Sequence, residues 1–206
     1  MESQDLRNVG LKVTLDHFYG IEIDEWPARI AETAMFLIDR QCDLKLTASL
    51  GWAPDRLPIQ EQATIVVGNA LKLDWSAVCP PTENTVVAGN PPFLGDHTRT
   101  GEQLAELHAA WGGNKVLSRM DYVTGWHARA LQYFNRHDGL WAFVTTNSIT
   151  QGDQVHRLFS EIFNAGWRIK FAHRTFAWTS EAGSAAAVHC VIIGFTKDTA
   201  TRPRLF

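Results

Sequence analysis

Short apolar runs and longer helical patterns alternate along this chain. "HFYGIEI" (17–23) gathers aromatic and β-branched residues in a brief run, the pattern of a buried strand. "DEWPARIAETAMFLIDRQCDL" (24–44) instead repeats apolar residues at helical spacing, with Ile30, Ala34, Leu37 and Ile38 on one side, and predicts an amphipathic helix. Pro27 falls in its first turn, where a missing N–H costs little, and Asp24 stands at the capping position. "ATIVVGNA" (63–70) and "NTVVAGN" (84–90) predict two more strands. Helical composition fills 102–135, broken at Gly112 and Gly113.

"LWAFVTTNSI" (140–149) predicts a strand with a polar end, and "DQVHRLFSEIFNAG" (153–166) a helix stopped by glycine. The last two strands are "WRIKFAHRTF" (167–176) and "AAAVHCVIIGF" (185–195), joined by "AWTSEAGS". Strands alternating with helices predict an α/β fold with a largely parallel sheet. The short final link suits an antiparallel pair. At 206 residues, without repeats or low-complexity tracts, the expectation is a single domain over 1–206.

Charge narrows the function. Nineteen basic against 22 acidic residues leave a net −3, whereas a protein that grips a nucleic-acid backbone unaided is usually basic. Cys42, Cys79 and Cys190 are widely spaced and form no metal or disulfide framework, so they read as reduced thiols. The polar start is no signal peptide, and no apolar run approaches the ~20 residues of a membrane span. A cytoplasmic location without a membrane partner is expected. The histidines form no HExxH or comparable spacing, so no metal is expected.

In an open parallel sheet, ligands bind beyond the carboxyl ends of the strands. Glu22 ends the first predicted strand, where a carboxylate can accept from both hydroxyls of a ribose; it equally suits the entry to a helix. Asn69, after "VVG", can read an adenine edge with Ala70 and Leu71 packed on the ring, or serve as a turn asparagine. Asn147 and Ser148 end a strand and can approach a substrate or form a turn. His173 and His189 read as core or near-core strand residues, and Trp167 and Trp178 as packing residues.

"GNPPFLG" (89–95) carries the most chemistry. Two consecutive prolines fix their own φ angles and donate no hydrogen bonds, so the corner is stiff. A stiff corner holds the Asn90 side-chain oxygen and the Pro91 carbonyl as two acceptors for one exocyclic amine. Phe93 offers a face on which the planar group bearing that amine can stack. Pro92 shapes the loop.

These residues resemble the catalytic motif of amino-methylating DNA methyltransferases. "FYGIEIDEWPARIAETAMFL", "GNPPFLG", "TTNSITQGDQV" and "FAHRTFAWTSEAGSAAAVHCVIIGF" resemble, in order, the methylase core of large single-chain bacterial restriction–modification enzymes. The resemblance implies a Rossmann-like class I methyltransferase fold with family strand order 3-2-1-4-5-7-6. It implies methyl transfer from S-adenosylmethionine to the N6 amine of adenine in double-stranded DNA, with the adenine flipped from the stack. Asn90, Pro91 and Phe93 would hold the base, Glu22 the cofactor ribose, and Asn69 with Ala70 its adenine.

The family places a first strand with a glycine-rich loop ahead of the "GIEID" strand, and only Gly10 stands in the residues before Gly20 here. The expectation is therefore a core lacking that strand and loop, and lacking a DNA-recognition domain. The full-length protein or a partner would supply them. The vacancy would draw in "LKVTLD" (11–16) or stay open. Asn-Pro-Pro-aromatic clamps also occur in methyltransferases of protein glutamine and RNA, and an inactive module retaining the fold is a further alternative.

Overall fold

The computed structural model describes residues 13–51, 61–95, 97–178 and 188–206. Gly10, residues 11 and 12, and residues 179–187 between the last two strands lie outside the described residues. The chain is organised as two compact units, Met1–Cys79 and Pro80–Phe206.

The first unit holds β1 (Tyr19–Glu22), α1 (Glu25–Leu50), β2 (Thr64–Val67) and the single turn α2 (Trp75–Val78). β1 and β2 pair in parallel, with Glu22 opposite Val67. Asp24 takes the capping position of α1 in extended backbone, but its side chain makes no capping hydrogen bond. The helix runs past the expected end at Leu44 and stops at Gly51, whose φ of 70° is the left-handed geometry that glycine tolerates best. Its length overturns the expected buried stripe. Twenty-six helical residues span about 39 Å, while each four-residue strand offers about 13 Å, so the strands cover little of the helix. Ala28 is buried, but Ile30, Ala34, Leu37 and Ile38 are exposed.

The second unit holds β3 (Val86–Gly89), α3 (Gly101–Ala110), α4 (Thr124–Tyr133), β4 (Leu140–Thr146), α5 (Asp153–Asn164), β5 (Arg168–Trp178), β6 (Val188–Thr196) and β7 (Arg204–Leu205). Its strand order is β3-β4-β6-β5-β7. β3 runs parallel to β4, and β6 runs antiparallel to both β4 and β5. β7, which has no apolar pattern to announce it, adds in parallel to β5. The sheet is thus parallel apart from β6. Among the described residues no strand joins this sheet to the β1–β2 pair. Residues 15–17 form one 3-10 turn rather than a strand.

Alternation along β4 buries Trp141, Phe143 and Thr145 on one face. Trp141 stacks on Phe195 of β6 with ring centroids 4.2 Å apart, and Phe159 of α5 reaches the same ring. Trp167 is buried as expected, against Phe134 and Trp141. His173, His189 and Trp178 correct the core expectation. They lie in strands but are exposed; His173 stacks on the ring of Phe206, and Trp178 meets the ring of Phe176.

Inside the aromatic layer sits His127 of α4, its ring edge-on to Trp141, Phe143 and Phe195. Neither ring nitrogen has a hydrogen-bond partner among the described residues, and burial pushes the imidazole pKa down to about 3.

Gly194 is required by a close approach. The Phe171 ring lies over it, and a Cβ there would come within 2.2 Å of Phe171 Cε1. Gly194→Ala is expected to cost about 1–3 kcal/mol through overpacking, read as a lowered urea midpoint. An unchanged midpoint would mean that the ring swings aside freely.

Candidate active site

Each unit presents predicted residues at the carboxyl end of its parallel strands. In the first unit, Gly68 N–H donates to the Glu22 carbonyl (2.7 Å), so Glu22 and the 68–70 turn share one end of the strand pair. The Glu22 side chain is half-buried, with no partner among the described residues. Asn69 does form the turn that its place after glycine suggests: its Oδ1 accepts from Leu71 N–H (2.8 Å), and its carbonyl accepts from Lys72 and Leu73. The Ala70 carbonyl accepts from the Trp75 indole N–H (2.8 Å), which anchors the turn to α2. Its own N–H is left without a partner among the described residues. An acceptor carboxylate and a free N–H donor at one sheet end are the groups that a ribose and an adenine ring require.

In the second unit, β3 delivers the Asn-Pro-Pro-Phe corner. Asn90 is exposed, the Pro91 ring is buried, and Phe93 is half-buried. Neither the Asn90 amide nor the Pro91 carbonyl has a hydrogen-bond partner among the described residues. Two acceptors are thus held by a buried proline and left unsatisfied, which is the arrangement an incoming amine needs. Beyond the corner the chain is tied down: Leu94 carbonyl accepts from Tyr122 N–H (3.0 Å), and Gly95 carbonyl from Thr98.

β4 runs parallel beside β3, so Asn147 and Ser148 emerge at the same end of the sheet as Asn90. They form a 3-10 turn, Asn147–Thr150, which fulfils the turn role expected of them. Ser148 and Thr146 hydroxyls both donate to the Asp121 carboxylate, Thr146 at 3.0 Å, and they contact each other at 2.7 Å. Sequence reasoning passed over Asp121. Its partners lie 25 and 27 residues away, and the only local sign is an acid in the break between two helices.

A parallel sheet with one reversed strand, and an Asn-Pro-Pro-Phe corner at a strand's carboxyl end, define a class I methyltransferase fold. A Listeria monocytogenes structure assigned to the class I S-adenosylmethionine-dependent methyltransferases shares that fold alone, with TM-score 0.52 and 11% identity over 98% of this chain and 61% of that one. The particular family follows from closer likenesses. The chain belongs to the MmeI DNA-methyltransferase domain family, whose model matches residues 1–206. The type IIL restriction–modification enzyme MmeI, solved with DNA, matches 95% of this chain and 27% of its own at 39% identity and TM-score 0.83. DNA methyltransferase A of Bacillus subtilis (strain 168) is 35% identical over 198 residues, 94% of this chain. The chain spans 22% of that relative's length. Among the described residues, no helix is long and apolar enough to cross a membrane.

Proposed function

We propose that this domain transfers a methyl group from S-adenosylmethionine to the N6 amine of an adenine flipped out of double-stranded DNA, as the modification activity of a restriction–modification enzyme. The observation that carries the reading is the pair of acceptors at the carboxyl end of β3, Asn90 Oδ1 and Pro91 carbonyl, neither engaged among the described residues, with Phe93 following in the same corner. S-adenosylmethionine supplies an electrophilic methyl group on a positively charged sulfur. Glu22 would accept from its ribose hydroxyls, and Ala70 N–H would donate to its adenine ring. Asn69, whose oxygen is engaged in its own turn, holds Ala70 in place and acts on the adenine through it.

Asn90 and Pro91 each accept one hydrogen of the target amine. Two acceptors draw the nitrogen lone pair out of conjugation with the ring, making a weak nucleophile stronger without a strong base. That lone pair would form the new N–C bond as the C–S bond breaks with its electron pair staying on sulfur, and one amine proton would then pass to water. The DNA-recognition surface belongs to other parts of the enzyme, in keeping with the net charge of −3 on this chain. A cytoplasmic location follows from a DNA substrate.

The test is product analysis. A full-length enzyme carrying this domain is given labelled cofactor and duplex DNA, and the DNA is digested to nucleosides. Label in N6-methyl-2′-deoxyadenosine is expected; label confined to cytosine, RNA or protein would overturn the reading.

Phe93→Ala is expected to weaken base capture by about 1–3 kcal/mol, the worth of stacking one base, and to spare cofactor binding. Affinities for a duplex with the target adenine and one with an abasic target should differ in the wild type and converge in the variant. Loss of cofactor affinity with normal turnover would place Phe93 in another role.

A further inference from the structure

We infer that Asp121 is a positioning residue for methyl transfer, clasping the Asn-Pro-Pro-Phe corner to the turn after β4. The inference rests on the adenine-methyltransferase reading for its catalytic consequence, but the clasp itself stands on the hydrogen bonds. The half-buried Asp121 follows the 3-10 turn Leu117–Arg119, in the break between α3 and α4. Its Oδ2 accepts from both Thr146 and Ser148, the residues that carry β4 into its 3-10 turn. Its backbone N–H donates to Gln154 Oε1 of α5 (2.9 Å).

The next residue, Tyr122, donates its N–H to Leu94, immediately after Phe93. Arg99 reaches the same segment, donating to the Met120 carbonyl (2.5 Å). Residues 120–122 therefore hold the far side of the corner with their backbone and the end of β4 with one carboxylate. Among the described residues the corner itself makes no hydrogen bond from Asn90 to Phe93. Its placement depends on Pro91 burial and on this clasp at Leu94. A carboxylate is the right group, since two hydroxyls donate to one oxygen and a charged acceptor binds such donors about twice as strongly as a neutral one.

Asp121→Ala and Asp121→Asn are compared with wild type in the full-length enzyme. Hydrogen exchange is followed in peptides covering 118–123, which hold the Tyr122 amide that donates to Leu94, and 145–151, beside single-turnover methyl transfer and KM for S-adenosylmethionine. In the alanine variant both peptides should exchange faster while peptides from α4 and β6 keep their protection. The transfer rate should fall about 10–100-fold, as misplacement near 1 Å allows, with KM for the cofactor within about 2-fold. Asparagine keeps an acceptor oxygen and should recover most of the rate.

Unchanged exchange in the two peptides would overturn the clasp. Faster exchange with an unaltered rate, in an enzyme that methylates adenine, would overturn its catalytic role. If the wild type methylates no adenine, the functional reading fails, and the exchange result alone still decides the clasp. Should Asp121→Ala not fold, Ser148→Ala removes one donor from the same oxygen and must show the same two changes in smaller degree, or the inference falls.

Discussion

Asn90→Ala, placed in a full-length enzyme carrying this domain, is expected to lower methyl transfer by ~10²–10³ while leaving folding nearly intact. Asn90 is exposed and makes no hydrogen bond among the described residues, so its loss removes no packing and breaks no network. What disappears is one of the two acceptors proposed for the amine. The remaining acceptor, Pro91 carbonyl, can bind a single hydrogen, and the lone pair stays largely in conjugation. Since the lost interaction strengthens as charge builds on nitrogen, the rate suffers more than cofactor or DNA affinity. A variant that keeps more than about half of the wild-type single-turnover rate would sink the clamp.

Acid should destabilise the second unit through His127. Burial lowers its folded pKa to about 3, below the 6.5 of a free imidazole, so the unfolded state binds the proton across that window. Stability is therefore fully present above pH 6.5 and falls with each step below it, at 1.36 kcal/mol per unit for one proton. From pH 7 to pH 5 the loss is about 2 kcal/mol, and the full window to pH 3 is worth up to about 5 kcal/mol.

His127→Leu keeps a similar volume among Trp141, Phe143 and Phe195 and removes two unpartnered buried nitrogens. It is expected to match or exceed wild type at pH 7 and to lose the one-proton slope between pH 6.5 and 5. Urea unfolding followed by tryptophan fluorescence at a series of pH values measures both. Parallel pH curves for wild type and variant would show that the imidazole is not the sensor.

The elements and the motif were legible where local chemistry decides them. An apolar run with a polar end marked β4, Gly112 and Gly113 marked the break after α3, and the short link between the last strands marked their antiparallel pairing. The Asn-Pro-Pro-Phe corner was legible because proline stiffness is a property of the residue itself. Asp121 was not, because its meaning comes from Thr146, Ser148 and Gln154, which only the tertiary fold brings to it. His127 looked like any helical histidine until three rings closed on it. The stripe on α1 was misjudged for a different reason. Periodicity reveals which residues share a side of a helix, but the length of the neighbouring strands decides how much of that side is covered.

The reversed strand β6 has a consequence for how the polypeptide emerges from the ribosome. It lies between β4 and β5, and its Thr196 meets Leu140 of β4, so the middle of the sheet is made from a segment synthesised after both of its neighbours. Until residue 196 has cleared the exit tunnel, β4 can pair only with β3, and β5 has no inner neighbour. Two open strand edges then coexist in one nascent chain, each a template for pairing with other chains. The order of translation thus opposes the order of assembly, and protection of this intermediate falls to whatever meets the chain as it leaves the tunnel.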